Sequence, residues 1–444
     1  MSMSTTRMIT LGATVLSVLL LAAAVQGQDA PNGQYWAQWR GPLNTGASPT
    51  ANPPLEWSET HNISWKVEIP GRGFASPVVW DDRIFVTTAV PAGAAGGEQH
   101  APRGGEASRG VHQFVVMAID RETGRTLWEQ VASEQEPHEA GHPANSSWAS
   151  SSPLTDGERV YAYFESFGLY TYDMDGRLLW EQDFGDKGMR NTFGEGSTPA
   201  LLGNTLVIVW DHLHGDSFVI AVDARTGDEL WRVPRDEIDT WATPLILYVN
   251  GRPQVIVPAM DRVRSYDLEN GDIVWESDGL TMNAIPSPVY DNGLVFLMSG
   301  FRGNDLKAIR VADAHGNIDG TDAIVWTLER DTPYVPSPVL VDGVLYFLKT
   351  NSGILSALDA EAGTPLYPPQ RLAGLPNVFS SPVAAQGRVY FTGREGTTMI
   401  IRSGVEFEVL ATNTLDDAFD ASPALVDNDI YLRGHRYLYA ISEQ

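Results

Sequence analysis

Short segments in which apolar and polar residues alternate follow one another along most of the chain. They are rich in β-branched and aromatic residues and are bounded by Gly, Asn, Asp and Pro, a composition typical of β-strands. No window of similar length has the period of about 3.6 residues that marks an amphipathic helix. The pattern predicts an all-β protein whose clearest strands are Arg83–Thr88, Phe114–Asp120, Val160–Phe164, Leu206–Trp210, Phe218–Val222, Leu294–Met298 and Val344–Leu348.

A Ser-Pro or Thr-Pro pair before an apolar run recurs eight times along the chain. Successive prolines are 41 to 50 residues apart, except for an interval of 76 residues between the first two. An interval of about 45 residues holds four short strands, which is the size of one propeller blade. The long first interval includes a Gly- and Ala-rich segment at 91–110, which we expect to be a loop insertion. The eight prolines are Pro77, Pro153, Pro199, Pro244, Pro288, Pro338, Pro382 and Pro423.

A second pattern, Ala-x-Asp-x-x-x-Gly-x-x-x-Trp, recurs in the later half of the repeat. It predicts a hairpin in which Asp bonds to the turn backbone and Gly takes a positive φ. The aromatic residue then lies on the fourth strand, where we expect it to fill the gap between neighbouring blades. The docking residues predicted in this way are Trp65, Trp128, Trp180, Trp231, Trp275, Trp326 and Tyr367.

This spacing resembles the tryptophan-docking motif of propellers built from pyrroloquinoline-quinone-like (PQQ-like) repeats. The resemblance covers nearly all of the chain after the first 27 residues and implies an eight-bladed β-propeller of four-stranded antiparallel blades. Trp36–Pro42, Phe407–Asn413 and Tyr437–Ile441 are also similar to a bacterial secreted subfamily without a settled activity. Two repeats depart from the motif, since the fifth carries Asp313–Asp322 in place of the short turn and the seventh has no tryptophan.

The two ends of the chain decide the number of blades. After Pro423 only three strands fit before the chain ends, whereas Asn62–Ile69, which carries Trp65, is a strand without a blade. We expect this strand to pair with the C-terminal strands and so to complete the eighth blade. Closure of that kind leaves no free sheet edge in the ring.

The N-terminus has the shape of a signal peptide. Arg7 precedes an apolar stretch from Met8 to Val25, and cleavage after Gly27 would leave residues 28–444 as a single propeller domain. An uncleaved membrane anchor is the alternative. No later segment has the roughly 18 unbroken apolar residues of a membrane-spanning helix. We therefore expect a periplasmic or secreted monomer that has no stable membrane insertion after cleavage.

Cysteine content and charge exclude several classes of function. The chain has no cysteine, which excludes disulfides, thiolate metal sites, cysteine nucleophiles and attachment of c-type haem. Its formal net charge of −26 repels phosphate backbones, so nucleic acid is not an expected partner.

The loops on one face of the ring form the predicted binding surface. If strand A is innermost and the strands alternate in direction, the D–A and B–C loops share the more variable face, where sites are common. Mixed charged, polar and aromatic side chains there suit a polar ligand or a peptide. The alternative is that each of these residues only solvates or locks its own loop. The candidates are His138, His142, Asn145, Trp148, Glu195, Asp211, His212, Trp241, Asn283, Arg302, Lys349 and Arg394.

Two short motifs superficially match metal sites. The segment His138–His142 matches the zinc-protease pattern, but that chemistry needs a helix, and Pro137, Gly141 and Pro143 oppose one. Simple metal binding by the two histidines is a weaker alternative. The run Asp313–Gly320 is superficially similar to a calcium loop, but its glycines are misplaced, so we expect an acidic surface hairpin. No metal site is predicted.

The function predicted from these features is a non-catalytic binding or scaffold propeller of the cell envelope. Its funnel face would hold a partner protein, a peptide or a glycan. Repeat type and blade number are similar to those of the propeller subunit of the outer-membrane β-barrel assembly machinery, although the cysteine that anchors that lipoprotein is absent. The alternative is an enzyme similar to PQQ- and calcium-dependent quinoprotein dehydrogenases, with an Asp as base. Those enzymes often carry an adjacent cysteine pair, which is also absent, so no cofactor and no catalytic residue is predicted.

Overall fold

The structure is a computed structural model that describes residues 33–93, 110–142 and 144–443. Eight sheets follow one another around a ring, each with a four-stranded antiparallel blade, as the repeat predicts. The predicted signal peptide and residues 94–109 of the predicted insertion lie outside the described residues. Within the described part of the chain, no helix has the length and apolar character needed to cross a membrane.

Each blade has strands A to D, counted outward from the axis. In order from A to D, the strands of blade 1 are Val78–Trp80, Arg83–Pro91, His112–Asp120 and Thr126–Gln135, and those of blade 2 are Leu154–Thr155, Arg159–Tyr163, Leu169–Asp173 and Leu178–Gln182. Those of blade 3 are Ala200–Leu202, Thr205–Trp210, Ser217–Asp223 and Glu229–Arg235, and those of blade 4 are Leu245–Val249, Arg252–Val257, Arg262–Asp267 and Ile273–Asp278. The strands of blade 5 are Val289–Asp291, Leu294–Ser299, Asp305–Arg310 and Ile324–Thr327, and those of blade 6 are Val339–Val341, Val344–Leu348, Ile354–Asp359 and Gln370–Arg371. Those of blade 7 are Val383–Ala385, Arg388–Thr392, Thr397–Arg402 and Val409–Thr414, and those of blade 8 are Ala424–Val426, Asp429–Arg433, Tyr437–Ser442 and Ile63–Glu68. The remaining elements are the short strands Ala47–Ser48 and Gly316–Asn317 and the 3-10 turns Glu165–Phe167, Arg190–Thr192 and Val311–Asp313.

The chain ends close the ring as predicted. Ile63–Glu68 pairs antiparallel with Tyr437–Ser442 and forms strand D of blade 8, with Trp65 opposite Ala440. The seven strands predicted from the sequence are also confirmed, and the one that starts at Arg83 extends to Pro91. The expected alternation of apolar and polar residues is wrong for strands B and C, which are mostly continuous apolar runs because neighbouring blades cover both of their faces. Leu294–Ser299, for example, is buried at every position.

A ring of hydrogen bonds surrounds the propeller axis. In every repeat, the backbone N–H of the Ser or Thr before the proline donates to the hydroxyl of the equivalent residue in the next blade, at 2.8 to 3.1 Å. The bond from the Ser422 N–H to Ser76 Oγ completes the circle. The sequence showed the repeated pair but not this role. The ring residues are Ser76, Ser152, Thr198, Thr243, Ser287, Ser337, Ser381 and Ser422.

Removing one hydroxyl from this ring should destabilise the whole propeller. In Ser337→Ala the buried N–H of Ser287 loses its acceptor, and a buried donor left without a partner costs about 1–3 kcal/mol. Urea denaturation of Ser337→Ala and of Ser337→Thr measures this, because Thr occupies two ring positions and keeps the hydroxyl. Equal losses of unfolding free energy in the two variants would contradict the role of the ring.

The repeated tryptophans lie against the turn of the following blade. The indole N–H of Trp128 donates to the carbonyl oxygen of Met174 at 2.8 Å, and its ring covers Gly176. Gly176 has a φ of +84°, and a Cβ there would lie 2.7 Å from the indole. The glycine is therefore needed both for the turn and for the close approach of the ring. The same pairing joins Trp65 to Gly124, Trp180 to Gly227, Trp231 to Gly271 and Trp326 to Gly363.

The repeats that depart from the motif are packed differently. Trp275 is fully buried, but within the described chain its indole N–H has no hydrogen-bond partner, because blade 5 lacks the turn that accepts it elsewhere. The segment Asp313–Gly320 lies largely on the surface, as predicted, but the prediction of a hairpin is wrong. Gly316–Asn317 instead adds a parallel strand to the outer edge of blade 4, because Ala314 and Ile318 are buried in the same cluster as Trp275.

Tyr367 and the seventh repeat complete the set of departures. Tyr367 packs on Phe407 with ring centroids 6.0 Å apart, and no partner for its hydroxyl lies in the described part of the chain. In blade 7, Ala411 occupies the position that tryptophan takes in the full motif, and it pairs with Ile400 on strand C. Ala411 packs in the cluster that contains Trp57, so an indole from the N-terminal segment lies in the same part of the core.

Candidate functional site

A cavity of about 320 Å³ lies on the propeller axis among the D–A loops. In all eight repeats, the residue two positions before the ring hydroxyl lines it. This position varies from glycine to tryptophan, so each blade gives the wall a different side chain. The eight residues are Phe74, Ser150, Gly196, Trp241, Ile285, Val335, Phe379 and Asp420. Further aromatic side chains come from Phe193, Phe301 and Tyr334.

The N-terminal segment forms the floor of this cavity. Trp36 bridges strand A of blade 1 at Val79, and Ala47–Ser48 pairs with strand A of blade 7, so the segment between them crosses beneath the ring. Trp39 lines the cavity, and its indole N–H lies 3.4 Å from Ser422 Oγ. The cavity is therefore closed at this end by a stretch that the sequence marked only as similar to a subfamily.

Arg40 anchors that floor. Its guanidinium is buried and donates to the carbonyl oxygens of Pro338 and Pro382 in two adjacent blades. Burial lowers the pKa of Arg40 to about 9. The arginine thus ties the N-terminal segment to blades 6 and 7 through backbone oxygens.

One wall of the cavity carries a buried cluster of one cation and two carboxylates. Lys187 is paired with Glu165, and its Nζ lies 3.7 Å from Oε2 of Glu195, which lines the cavity. The side chains of Lys187 and Glu195 are 1% and 11% exposed, so water screens this cluster weakly. Burial raises the pKa of Glu195 well above its ordinary value, and the Glu165 carboxylate adds to this against the opposing effect of Lys187.

The raised pKa of Glu195 has a consequence for stability. The folded protein keeps a proton that the unfolded chain loses above about pH 4.5, so folding stability falls as pH rises through this window. The facing groups are Lys187, whose own pKa is raised because the two carboxylates outweigh its burial, together with Glu165 and Tyr163. Glu195→Gln removes the titration. We expect the melting temperature of the variant, relative to wild type, to increase from pH 5 to pH 8, whereas a constant difference would contradict this assignment.

A second ionic cluster stands behind Asp420. Arg394 Nε lies 2.8 Å from Asp420 Oδ1, and His435 Nε2 lies 2.8 Å from Oδ2. Arg394 also donates to Asn145 Oδ1 at 2.9 Å and lies over the ring of Phe379 at 4.1 Å. This cluster joins the loops of blades 7 and 8 to the long loop between blades 1 and 2.

The predicted site residues are distributed between the cavity and its surroundings. Asn145, Glu195 and Trp241 line the axial cavity. His138 and Trp148 line a smaller adjoining cleft that shares Glu195. Three more lie one layer behind the wall: His142 stacks on Phe193 at 5.1 Å, Asn283 donates to the Tyr334 hydroxyl at 3.1 Å, and Arg394 bonds to Asn145.

The other four predicted residues do not line the axial cavity. Asp211 is fully enclosed and pairs with buried Arg235 at 2.8 Å. Lys349 pairs with Asp331 at 2.8 Å, and Arg302 is exposed beside the ring of Phe301. His212 accepts the backbone N–H of His214 at 3.0 Å within its own loop.

The zinc-protease motif is not helical. Its Gly141 has a φ of +65°, and the first histidine, His138, contacts the carbonyl oxygen of Lys187 through Nε2 at 2.9 Å. Across residues 33–93, 110–142 and 144–443, no three His, Asp or Glu side chains are placed to hold a metal ion.

Sequence reasoning missed most of the aromatic wall and the floor. Phe74, Phe193, Phe301 and Phe379 were not among the candidates, which were chosen mainly for polarity. The usable signal was positional, since the residue two before each Ser/Thr-Pro pair lines the cavity whatever its type.

Solved structures with the same fold differ in function. BamB from Moraxella catarrhalis is 12% identical, with a TM-score of 0.57 and coverage of 85% of this chain and 96% of that chain. Quinohemoprotein alcohol dehydrogenase from Comamonas testosteroni is 12% identical, with a TM-score of 0.61 and coverage of 93% and 81%. The computationally designed Ika8 protein is 13% identical, with a TM-score of 0.55 and coverage of 88% and 100%. At these identities the likeness shows the fold alone.

The family is identified by the sequence rather than by these structures. A search among curated proteins finds no match. The family model described as outer membrane protein assembly factor BamB matches residues 55–208, 112–364 and 215–444, which together span most of the chain. The chain therefore belongs to this family of PQQ-like propellers.

Proposed function

We propose that this chain is a non-catalytic binding or scaffold propeller of the cell envelope, and that its axial cavity holds a segment of a partner protein. The observation that carries the proposal is the blind-ended cavity, which receives one side chain from the same position of every blade. The match to the BamB family model supports a scaffold role and a protein partner. The signal-peptide shape of the N-terminus supports a location in the periplasm or outside the cell.

The size and lining of the cavity suit side chains of a peptide. Its volume of about 320 Å³ is at the lower end of the range for small-ligand sites, enough for one or two side chains. Aromatic rings such as Trp241, Phe301 and Tyr334 offer apolar area at a low entropic cost. The Ser and Thr hydroxyls around the propeller axis and the side chain of Asn351 can form hydrogen bonds with the backbone or polar groups of a peptide.

The cavity does not fit the alternative of a calcium-bound quinone cofactor. Calcium takes six to eight oxygen ligands from carboxylates, carbonyl groups and water, gathered around one point. Among the described residues that line the cavity, the two carboxylates Glu195 and Asp420 lie in separate clusters, and Asp420 is already paired with Arg394 and His435. We therefore assign no catalytic step to this chain. Bound-quinone absorbance and alcohol-dependent dye reduction after addition of calcium and PQQ would overturn this assignment.

Filling the cavity should abolish partner binding without unfolding the protein. Gly196 has an ordinary φ, and a Cβ there would meet its nearest atoms at 3.6 and 3.8 Å, which are ordinary contacts. Because Gly196 lines the cavity, the ring of Gly196→Phe should fill part of it. We expect more than a tenfold loss of binding. Val405→Phe adds the same ring at a position that is 69% exposed and serves as the control.

Site-specific photo-crosslinking in cells measures this binding. A photoreactive residue replaces Phe301 at the cavity or Leu127, which is 42% exposed on an outer strand. The proposal predicts a partner adduct at position 301, absent at 127, lost in Gly196→Phe and retained in Val405→Phe. An adduct that is independent of Gly196→Phe would exclude the cavity as the binding site.

A further inference from the structure

We propose that the axial cavity recognises the cationic end of a lysine or arginine side chain at Glu195. The inference rests on the proposed function, because it names the chemistry of the partner segment that the cavity would hold. It is carried by the charges and rings of the cavity wall.

The charged groups of the cavity wall are both acidic. Of the described residues that line it, only Glu195 and Asp420 are ionisable at neutral pH. An anionic ligand would meet no basic side chain in direct contact, whereas a cation would meet two carboxylates. The formal net charge of −26 adds a long-range attraction for cations.

The two carboxylates differ in how completely they are compensated. Asp420 contacts Arg394 and His435 and also interacts electrostatically with Arg72. Glu195 shares the single cation of Lys187 with Glu165, and Glu165 makes the closer contact. When Glu195 is ionised, this part of the wall therefore carries one more negative charge than Lys187 neutralises.

Glu195 also has room to accept a further partner. Its contacts with the backbone N–H of Ser166, at 3.0 Å, and with Lys187, at 3.7 Å, both involve Oε2. The raised pKa of Glu195 agrees with this incomplete compensation, because a proton neutralises the surplus charge when no cation is present. A bound ammonium or guanidinium group would take the place of that proton.

Two aromatic residues that line the cavity lie beside the segment that carries Glu195. Trp241 donates its indole N–H to the carbonyl oxygen of Gly194 at 2.7 Å, so its ring lies against the segment that carries Glu195. Phe193 precedes that segment and also lines the cavity. A cavity lined by both a carboxylate and aromatic rings suits a cation on an apolar stem, because rings attract the charge and cover the methylene groups.

The test compares blocked tripeptides on the full chain. Acetyl-Gly-Lys-Gly-amide and acetyl-Gly-norleucine-Gly-amide differ only in the terminal cationic group, and tryptophan fluorescence with calorimetry measures their dissociation constants. We expect the lysine peptide to bind at least tenfold more tightly to the wild type. In Glu195→Gln that advantage should fall below twofold. The control is Glu158→Gln, which also removes one negative charge but at a side chain that is 77% exposed, and there the advantage should persist.

A second variant keeps the test decisive if Glu195→Gln folds poorly. Glu165→Gln leaves Lys187 and Glu195 as a balanced pair and changes no residue that lines the axial cavity. It should also remove the advantage of the lysine peptide. An advantage that persists in a folded Glu165→Gln variant would overturn the inference.

The remaining outcomes separate this inference from the proposed function. If the norleucine peptide binds as tightly as the lysine peptide and both are blocked by Gly196→Phe, the cavity remains the binding site but the cation inference is wrong. If Gly196→Phe affects neither peptide, the proposed function fails as well. Tighter binding of n-butylammonium than of the lysine peptide would overturn the assignment to a protein side chain.

Discussion

A chain that lacks residues 62–69 should lose the cooperative fold of the whole propeller. The deletion removes strand D of blade 8, exposes the edge of Tyr437–Ser442 and empties the docking position of Trp65 on Gly124. Loss of a fully buried tryptophan costs about 3–5 kcal/mol. Trp65 is half-buried, but the deletion removes the rest of the strand and its sheet pairing as well. Since domains are stable by only about 5–15 kcal/mol, we expect no single unfolding transition in the truncated chain.

Complementation distinguishes loss of the closing strand from a general effect of truncation. A synthetic peptide of residues 58–70 added to the truncated chain should pair with the open edge and restore β-sheet circular dichroism and the melting transition. The same peptide with Trp65→Ala should restore less. A truncated chain that melts like the full chain would show that the ring does not depend on this closure.

Gly227→Ala should destabilise the protein by about 2–5 kcal/mol. A φ of +78° costs a residue with a Cβ about 1–2 kcal/mol, and the Cβ would also lie 2.7 Å from the indole of Trp180. Forcing that contact in a packed interface adds about 1–3 kcal/mol. The measurement is chemical denaturation followed by tryptophan fluorescence.

Gly251 offers a matched control for this substitution. Its φ of +80° is nearly the same, but a Cβ there would meet nothing within 4 Å. Gly251→Ala therefore carries the backbone cost alone. If the two variants lose equal free energy, close packing of the indole on the glycine does not stabilise the interface between blades.

Much of the fold could be predicted from the sequence because it repeats. The Ser/Thr-Pro pairs and the tryptophan hairpins set the blade count, and Asn62–Ile69 had to complete the eighth blade. The short parallel strand Gly316–Asn317 could not be predicted, because its pairing with blade 4 depends on burial of Ala314 and Ile318 beside Trp275. That contact is set by tertiary packing and has no local signal.

The candidate site was harder to predict than the fold. Asp211 has the polarity of a site residue but forms a buried ion pair with Arg235. Phe74 and Gly196 have no polar side chain to mark them as site residues, although both occupy the position that faces the axis. Both residues lie two positions before a Ser or Thr of the hydrogen-bond ring. This spacing indicates a cavity-lining residue only once the eight blades are known to surround one axis. Side-chain type alone could not separate the cavity wall from loops that merely solvate the surface.

Function in this fold must be argued from the cavity. The same architecture occurs in BamB from Moraxella catarrhalis, in a quinohemoprotein alcohol dehydrogenase and in a designed protein. The blades therefore do not select a function by themselves. In this chain the features that bear on function are the Trp39 floor, the aromatic wall and the Glu195 carboxylate.

A crystal structure of the protein with acetyl-Gly-Lys-Gly-amide tests this account most directly. It should show the lysine side chain on the propeller axis among the rings of Trp241, Phe301 and Tyr334, with its ammonium within about 4 Å of the Glu195 carboxylate. Peptide density on the outer strands or on the opposite face, with the axial cavity holding only solvent, would contradict it.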